Sequence, residues 1–228
     1  MKTVNGVEVF DGLAEIVRPE HTALIVVDVQ NDCVDPNGWF AQHGKDVTAI
    51  QRVLPSIVSL VEAARAAGVF VVFIEQTTLP ANGSDSPAWL YFKTRDGRVR
   101  TDYTLDGSWG QQTIDELKVG PEDVRVRKFR PSAFHGTSLD KILRAHGIAS
   151  VVTCGVVTQG CVQATTMDAS FHDYYTAFAS DCIGGFTPAL HDNALTFLSS
   201  RYDSADVATL TSLWAAAPSL RTERECST

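Results

Sequence analysis

The chain has 228 residues, with 19 Lys and Arg against 27 Asp and Glu, for a formal net charge of −8. That length suits one large domain able to bury a full core, and 44% hydrophobic with 20% charged residues fits an ordinary globular protein. The acidic balance argues against a general nucleic-acid binder, which would carry a basic face. Residues 147–167 contain no charged side chain, yet Ser150, Thr153, Thr158, Gln159, Gln163, Thr165 and Thr166 make the stretch too polar for a membrane helix.

In chain order, residues 1–21 lack the charged, apolar and small-residue regions of a signal peptide and read as an N-terminal extension. The expected setting is a reducing cytoplasm, where the five widely spaced cysteines (Cys33, Cys154, Cys161, Cys182 and Cys226) form neither a disulfide framework nor a CxxC zinc site. The run TALIVVD at 22–28 is too continuous for a half-exposed strand and reads as a buried one. Residues 46–67 repeat apolar side chains at helical spacing, with Pro55 predicting a kink or a break into two helices. A second strand covers 69–75. Residues 77–106 lose the pattern and read as a long functional cover, which Trp89, Tyr91, Phe92 and Tyr103 would order.

Beyond the cover, 108–117 reads as a short helix and 123–128 as a third strand. A helix at 137–146 carries Thr137 as its N-cap. Further strands are expected at 149–155, 175–181 and 205–209, and helices at 159–173, 188–201 and 210–216, with a loose tail over 218–228. The alternation predicts a three-layer α/β fold: a doubly wound, mainly parallel six-stranded sheet with helices on both faces, in a single domain whose core spans about 22–216.

In such folds ligands bind at the carboxyl ends of the strands. That rule selects Asp28, Lys128 and Cys161. A thiol at a helix N-terminus near a lysine gains thiolate character from both charges, though a packing cysteine at a strand–helix junction fits the spacing equally well. Asp28 is either a loop cap or a base. As a base it faces ordinary carboxylate and thiol pKa values of about 3.9 and 8.5, an uphill transfer of roughly 6 kcal/mol. By position alone Lys128 reads as a strand-end surface lysine. His172 lies eleven residues beyond Cys161, roughly 16 Å along one helix, too far for a direct base. His135 follows Lys128 closely enough that a Cys161–His135 dyad stays open, and His43 reads as a loop contact. No metal motif and no phosphate-cradling glycine motif appears, so no metal and no cofactor is expected.

Three motifs resemble the isochorismatase-like cysteine hydrolase family: LIVVDVQND at 24–32, KFRPSAF at 128–134, and GVVTQGCVQATTMDA at 155–169. The resemblance spans about 22–216 and implies a catalytic set of Asp28, Lys128 and nucleophilic Cys161. It further implies a cis Val156–Val157 bond and an oxyanion hole built from the N–H groups of Val157 and Cys161. Cys33 and His135 stand where the family usually carries aromatics. The segment Glu75-Gln76-Thr77-Thr78 lacks the Asp-x-His metal motif of nicotinamidase-like members. The segments 86–89 and 107–110 look most like the ureidoacrylate amidohydrolase and N-carbamoyl amide branch.

The resemblance therefore implies hydrolysis of a small linear amide or ureide through an acyl-enzyme. Gln30, Trp89, Tyr91, Phe92, Trp109, Phe134, His135 and Gln159 are the candidates for substrate contact. The expected partner is the small-molecule substrate alone, with no nucleic acid or membrane, in a homodimer or homotetramer. Two other readings remain: vinyl-ether hydrolysis, which needs an acid but no thiol, and a non-catalytic binding module on the same fold.

Overall fold

In the computed structural model, which describes residues 1–97 and 101–217, the apolar run after Thr22 lies at the centre of a parallel sheet. Ahead of it sit a small antiparallel hairpin, β1 (Lys2–Val4) and β2 (Val7–Val9), and a short helix α1 (Leu13–Ile16). The sheet comprises β3 (Thr22–Val27), β4 (Phe70–Gln76), β5 (Val124–Lys128), β6 (Ser150–Val156), β7 (Tyr175–Gly184) and β8 (Asp203–Ala205), and two short helices, α2 (Asn31–Val34) and α3 (Trp39–Gln42), follow β3. Its order is β5-β4-β3-β6-β7-β8, parallel throughout.

All six residues of β3 are buried, because helices cover both faces and alternate side chains serve different cores. Leu24 and Val26 pack with Leu60, Val61 and Ala64 of α4 (Thr48–Ala67) and with Leu210 and Trp214 of α9 (Val207–Ala216). Ala23, Ile25 and Val27 pack on the other side. Their partners are Leu139 and Leu143 of α6 (Leu139–Ala145), Ala169 of α7 (Gln163–Phe171) and Leu198 of α8 (Pro188–Ser199). The chain winds outward from β3 to β5, then returns to β6 on the far side of β3. That reversal opens a crevice beyond the carboxyl ends of β3 and β6.

Several elements differ from their sequence patterns for local reasons. Helix α4 runs unbroken through Pro55, since Ile50 before it and Ile57, Leu60, Val61 and Ala64 after it are all buried on one side. The expected helix at 108–117 is instead two 3-10 turns, Trp109–Gln111 and Asp115–Leu117. Main-chain bonds from Asn31 N–H to Gln112 O (3.0 Å) and from Ile114 N–H to Val29 O (3.1 Å) hold that segment against 29–31 and prevent continuous helical pairing. The last strand ends at Ala205 rather than Thr209, because the Asp206 carboxylate accepts from Thr209 N–H at 2.8 Å and starts α9 at Val207.

Thr137 does not cap α6 directly. It accepts from Leu139 N–H in a turn before the helix, and Ser138 takes the cap position. The cover at 77–106 contains a helix, α5 (Pro87–Thr94), started by Ser86 accepting from Trp89 N–H. The expected loose tail at 218–228 lies outside the described residues.

Gly155 sets how closely β6 meets β3. Its φ is +113°, and an added Cβ would run into the Val27 carbonyl oxygen. Gly155→Ala is therefore expected to cost about 3 kcal/mol or more from backbone strain and overlap together. Urea denaturation reads this directly, and a loss below about 1 kcal/mol would show that the two strands can separate freely.

Candidate active site

Asp28 follows β3 in a left-handed conformation, φ 50°, one that Asp tolerates better than most side chains. Its N–H donates to Ile74 O at 3.0 Å and its carbonyl accepts from Gln30 N–H at 2.8 Å, so the turn is fixed on both sides. Lys128 is the last residue of β5, in register with Gln76 at the end of β4. Far from being a surface lysine, it is completely buried. Its ammonium lies 2.8 Å from Asp28 Oδ2, 2.9 Å from Gln76 Oε1, 3.2 Å from Arg130 O and 3.2 Å from Cys161 Sγ. Asp28 Oδ1 accepts from Gln76 N–H at 3.0 Å. Cys161 sits in a π-helical turn, Thr158–Val162, which leads into α7 where a regular helix was expected. The Val157 carbonyl accepts from both Gly160 and Val162 N–H, and the Val156–Val157 peptide bond is cis.

The electrostatic balance at the thiol runs opposite to what the helix terminus and Lys128 alone would set. Burial, then the Asp28 carboxylate through its charge and its hydrogen bond, push Cys161 up to about 12 against the pull of Lys128. Burial works against the Lys128 charge, but Asp28 and Cys161 outweigh it and raise its pKa. The resting site thus holds a thiol and a firmly protonated lysine.

The chain matches the isochorismatase domain over residues 22–212. The chain belongs to the isochorismatase family. Over 188 residues this family member is 35% identical to the ureidoacrylate amidohydrolase RutB of Enterobacter sp. (strain 638), covering 78% of this chain and 82% of that one. A cysteine hydrolase from Pseudomonas syringae pv. phaseolicola 1448A has a similar fold, with a TM-score of 0.77 at 24% identity over 89% of this chain and 96% of that chain. N-carbamoylsarcosine amidase from Thermoplasma acidophilum gives 0.63 at 25% identity, over 82% and 96%.

The other expected contact residues of this family member are dispersed. Gln30 is fully buried and acts as a brace, accepting from Gln76 N–H and donating to the carbonyls of Gln76 and Gln111. Phe134 is a core residue, stacked on His172 and near Tyr174. His135 is exposed, and the contacts to Cys161 come from Lys128 and Asp28 instead. His43 is exposed and stacks on Trp39. Tyr91, Phe92 and Trp109 are exposed on the cover, while Trp89 is half-buried and stacks on Phe92. The side-chain oxygen of Gln159 is buried without a hydrogen-bond partner. Among the described residues, no three His, Cys, Asp or Glu side chains gather in a metal site.

Three contributors were missed by the sequence reading. Gln76 joins Lys128, Asp28 and Gln30, and the strand-end rule would have found it had β4 been extended by one residue. Tyr103 is buried beside the site, and burial above all, with the Asp28 charge adding to it, holds its phenol protonated. Asp32 is a latch for the cover, accepting from Trp39 N–H (3.0 Å) and Thr104 N–H (2.6 Å), while Asn31 donates to Trp109 O (2.8 Å). Gly110 is required beside it, because a Cβ there would strike the Asp32 carboxylate.

Two substitutions test this arrangement. Asp28→Asn removes the charge that raises Cys161, so alkylation by iodoacetamide at pH 8 should speed up about fivefold or more. Mass spectrometry of the Cys161 peptide measures it, and slower alkylation would contradict the charge balance described. Asp32→Ala should cost about 3 kcal/mol through loss of two charge-assisted bonds. Chemical denaturation checks that value, and an unchanged midpoint would remove Asp32 as the latch.

Proposed function

We propose that this chain is a cysteine-nucleophile amidohydrolase that cleaves the C–N bond of a small linear amide or ureide and releases ammonia or an amine. One observation carries the reading: a single buried ammonium touches both a carboxylate and a thiol at the crevice where this fold binds ligands. Family membership and the named activities of the relatives support the same reaction class.

In this mechanism Asp28 removes the Cys161 proton as sulfur attacks the substrate carbonyl, so the thiolate forms only where it is consumed. Lys128 is already 3.2 Å from that sulfur and meets the new negative charge without moving. The N–H groups of Val157 and Cys161 receive the oxyanion. Asp28 then protonates the leaving nitrogen, the C–N bond breaks, and a thioester remains on Cys161. Water, activated by Asp28, hydrolyses the thioester and restores the thiol.

A cytoplasmic assembly of two or four copies belongs to the same proposal, supported by the apolar surface that Tyr91, Phe92 and Trp109 expose on the cover. Among the described residues no helix is long and apolar enough to cross a membrane.

Ammonia release from ureides, carbamoyl amino acids and simple amides is the test, run in parallel with Cys161→Ala and Asp28→Asn. Turnover should fall about a thousandfold or more in both variants, even though Asp28→Asn makes the thiol more reactive toward alkylation. Near-normal turnover by Cys161→Ala would end the nucleophile assignment. No turnover across the panel would favour a vinyl-ether hydrolase or a binding module.

A further inference from the structure

We propose that His191, which lies outside the set of Asp28, Lys128 and Cys161, is a positioning residue: by gripping Thr158 it holds the turn that carries Cys161 in its working shape. The proposal rests on the amidohydrolase reading above and adds to it a residue that acts through a neighbour.

Cys161 owes its place to a wide turn. Gln163 N–H donates to Thr158 O, and Val162 N–H reaches Val157 O at 3.3 Å, each five residues back. A regular helix would bond those groups four residues back. The extra residue in each ring sets the direction in which the side chains of the turn leave it. Turns of this kind are rare and occur as single insertions, so a contact from outside has to favour this one over an ordinary helical turn. Cys161 Sγ lies 3.2 Å from the Lys128 ammonium, and a tighter turn would carry it away from that contact.

The outside contact is at Thr158, the first residue of the turn and fully buried. Its carbonyl is committed to Gln163 N–H, while its hydroxyl leaves the turn and meets His191 Nδ1 at 2.6 Å. His191 stands near the start of α8, a helix that buries only Ala194 and Leu198 and turns most of its other side chains to solvent. The chain after β7 closes the contact from a third side. A Cβ added at Gly185 would come within 2.9 Å of Gln159 Oε1, 3.4 Å of Thr158 Oγ1 and 3.5 Å of His191 Cβ, so those side chains surround one point.

A buried hydroxyl is costly to leave unpaired. Without the imidazole, Thr158 would turn back to a main-chain carbonyl, the common alternative for threonine in a helix, and compete with the bonds that shape the turn. The link holds in either neutral tautomer of the ring, because a threonine hydroxyl can donate to Nδ1 or accept from it. Asparagine at 191 sets an amide group where Nδ1 stands and keeps the bond. Leucine fills similar space and makes none.

The test compares His191→Leu, His191→Asn, Thr158→Val and the double variant of Leu and Val, each checked for folding by circular dichroism. Hydrogen exchange in the peptide spanning residues 156–163, followed by mass spectrometry, needs no substrate. Exchange should quicken about tenfold in His191→Leu and Thr158→Val and return to within about threefold of the wild type in His191→Asn. Ammonia release from the best compound of the panel above gives the second readout. His191→Leu should lower kcat about tenfold or more with KM within about twofold, and His191→Asn should recover most of kcat. The double variant should be no slower than the slower single one, since both changes remove the same bond.

Quickened exchange with rescue by asparagine, in a protein that releases ammonia from no compound, would support the grip on the turn and end the amidohydrolase reading. Ammonia release with kcat unchanged in His191→Leu, or with the loss in KM alone, would overturn the proposal and leave that reading standing. Equal losses in His191→Leu and His191→Asn mark a packing role and overturn it as well. Unchanged exchange overturns it whatever the turnover.

Discussion

The site depends on one buried cation. The Lys128 ammonium has three N–H groups and four acceptors: the Asp28 carboxylate, the Gln76 amide oxygen, the Arg130 carbonyl and the Cys161 sulfur. Desolvating such a charge costs several kcal/mol, which only close and well-aligned partners offset. Those partners come from the ends of β3 and β4, from the loop after β5 and from the turn after β6. One charge therefore ties together four chain segments that meet at the crevice. Sulfur is the weakest acceptor of the four while it is a thiol and becomes one of the strongest as a thiolate. The lysine thus needs no movement to favour the charged state.

Acidity alone does not single out Cys161. Burial raises the pKa of Cys33, Cys154 and Cys182 as it does that of Cys161. Cys154 has burial as its only cause and sits in the core between sheet and helices. Cys182 adds the unfavourable charge of Asp181. Cys33 lies nearer the site, but Asp28, Cys161 and Asp32 all oppose its ionisation, against a weaker pull from Lys128. Cys182 also has a carboxylate at its thiol, which donates to Asp181 Oδ1 at 3.5 Å; Cys161 differs in having the Lys128 ammonium in direct contact, 3.2 Å from its sulfur, with the Asp28 carboxylate on the same ammonium. The distinguishing property is an exit route for the proton together with a waiting counter-charge.

The fold was legible because its strongest signals are chemical and local. Continuous apolar runs of strand length bounded by Gly, Asp or Lys could pack only between two helical layers, and the six-stranded parallel sheet follows from them. Asp28, Lys128 and Cys161 were found because each ends or follows a strand, where doubly wound sheets place ligands. The upward push on the Cys161 thiol was not legible: dipole and lysine can be read from spacing, while burial and the approach of the Asp28 charge exist only after folding. The cover resisted reading for a similar reason. Residues 108–117 carry helix-compatible side chains, but their conformation is decided by main-chain bonds to 29–31 that arise far away in sequence. Tyr103 and Arg130 owe their places to those tertiary contacts.

The way the cover is fastened has a consequence for how such a site can diversify. Asp32 and Asn31 hold its end through the N–H of Thr104 and the carbonyl of Trp109 just beyond it. Every residue except proline presents an N–H, and all present a carbonyl. The clasp grips the backbone and is blind to the side chains it carries, apart from the space that Gly110 must leave. Substitutions at exposed cover positions such as Tyr91 and Phe92 can then change the face the cover presents while the loop keeps its mooring. The packing of the floor and the outer surface of the cover are separable within one scaffold, so the second can change without rebuilding the first.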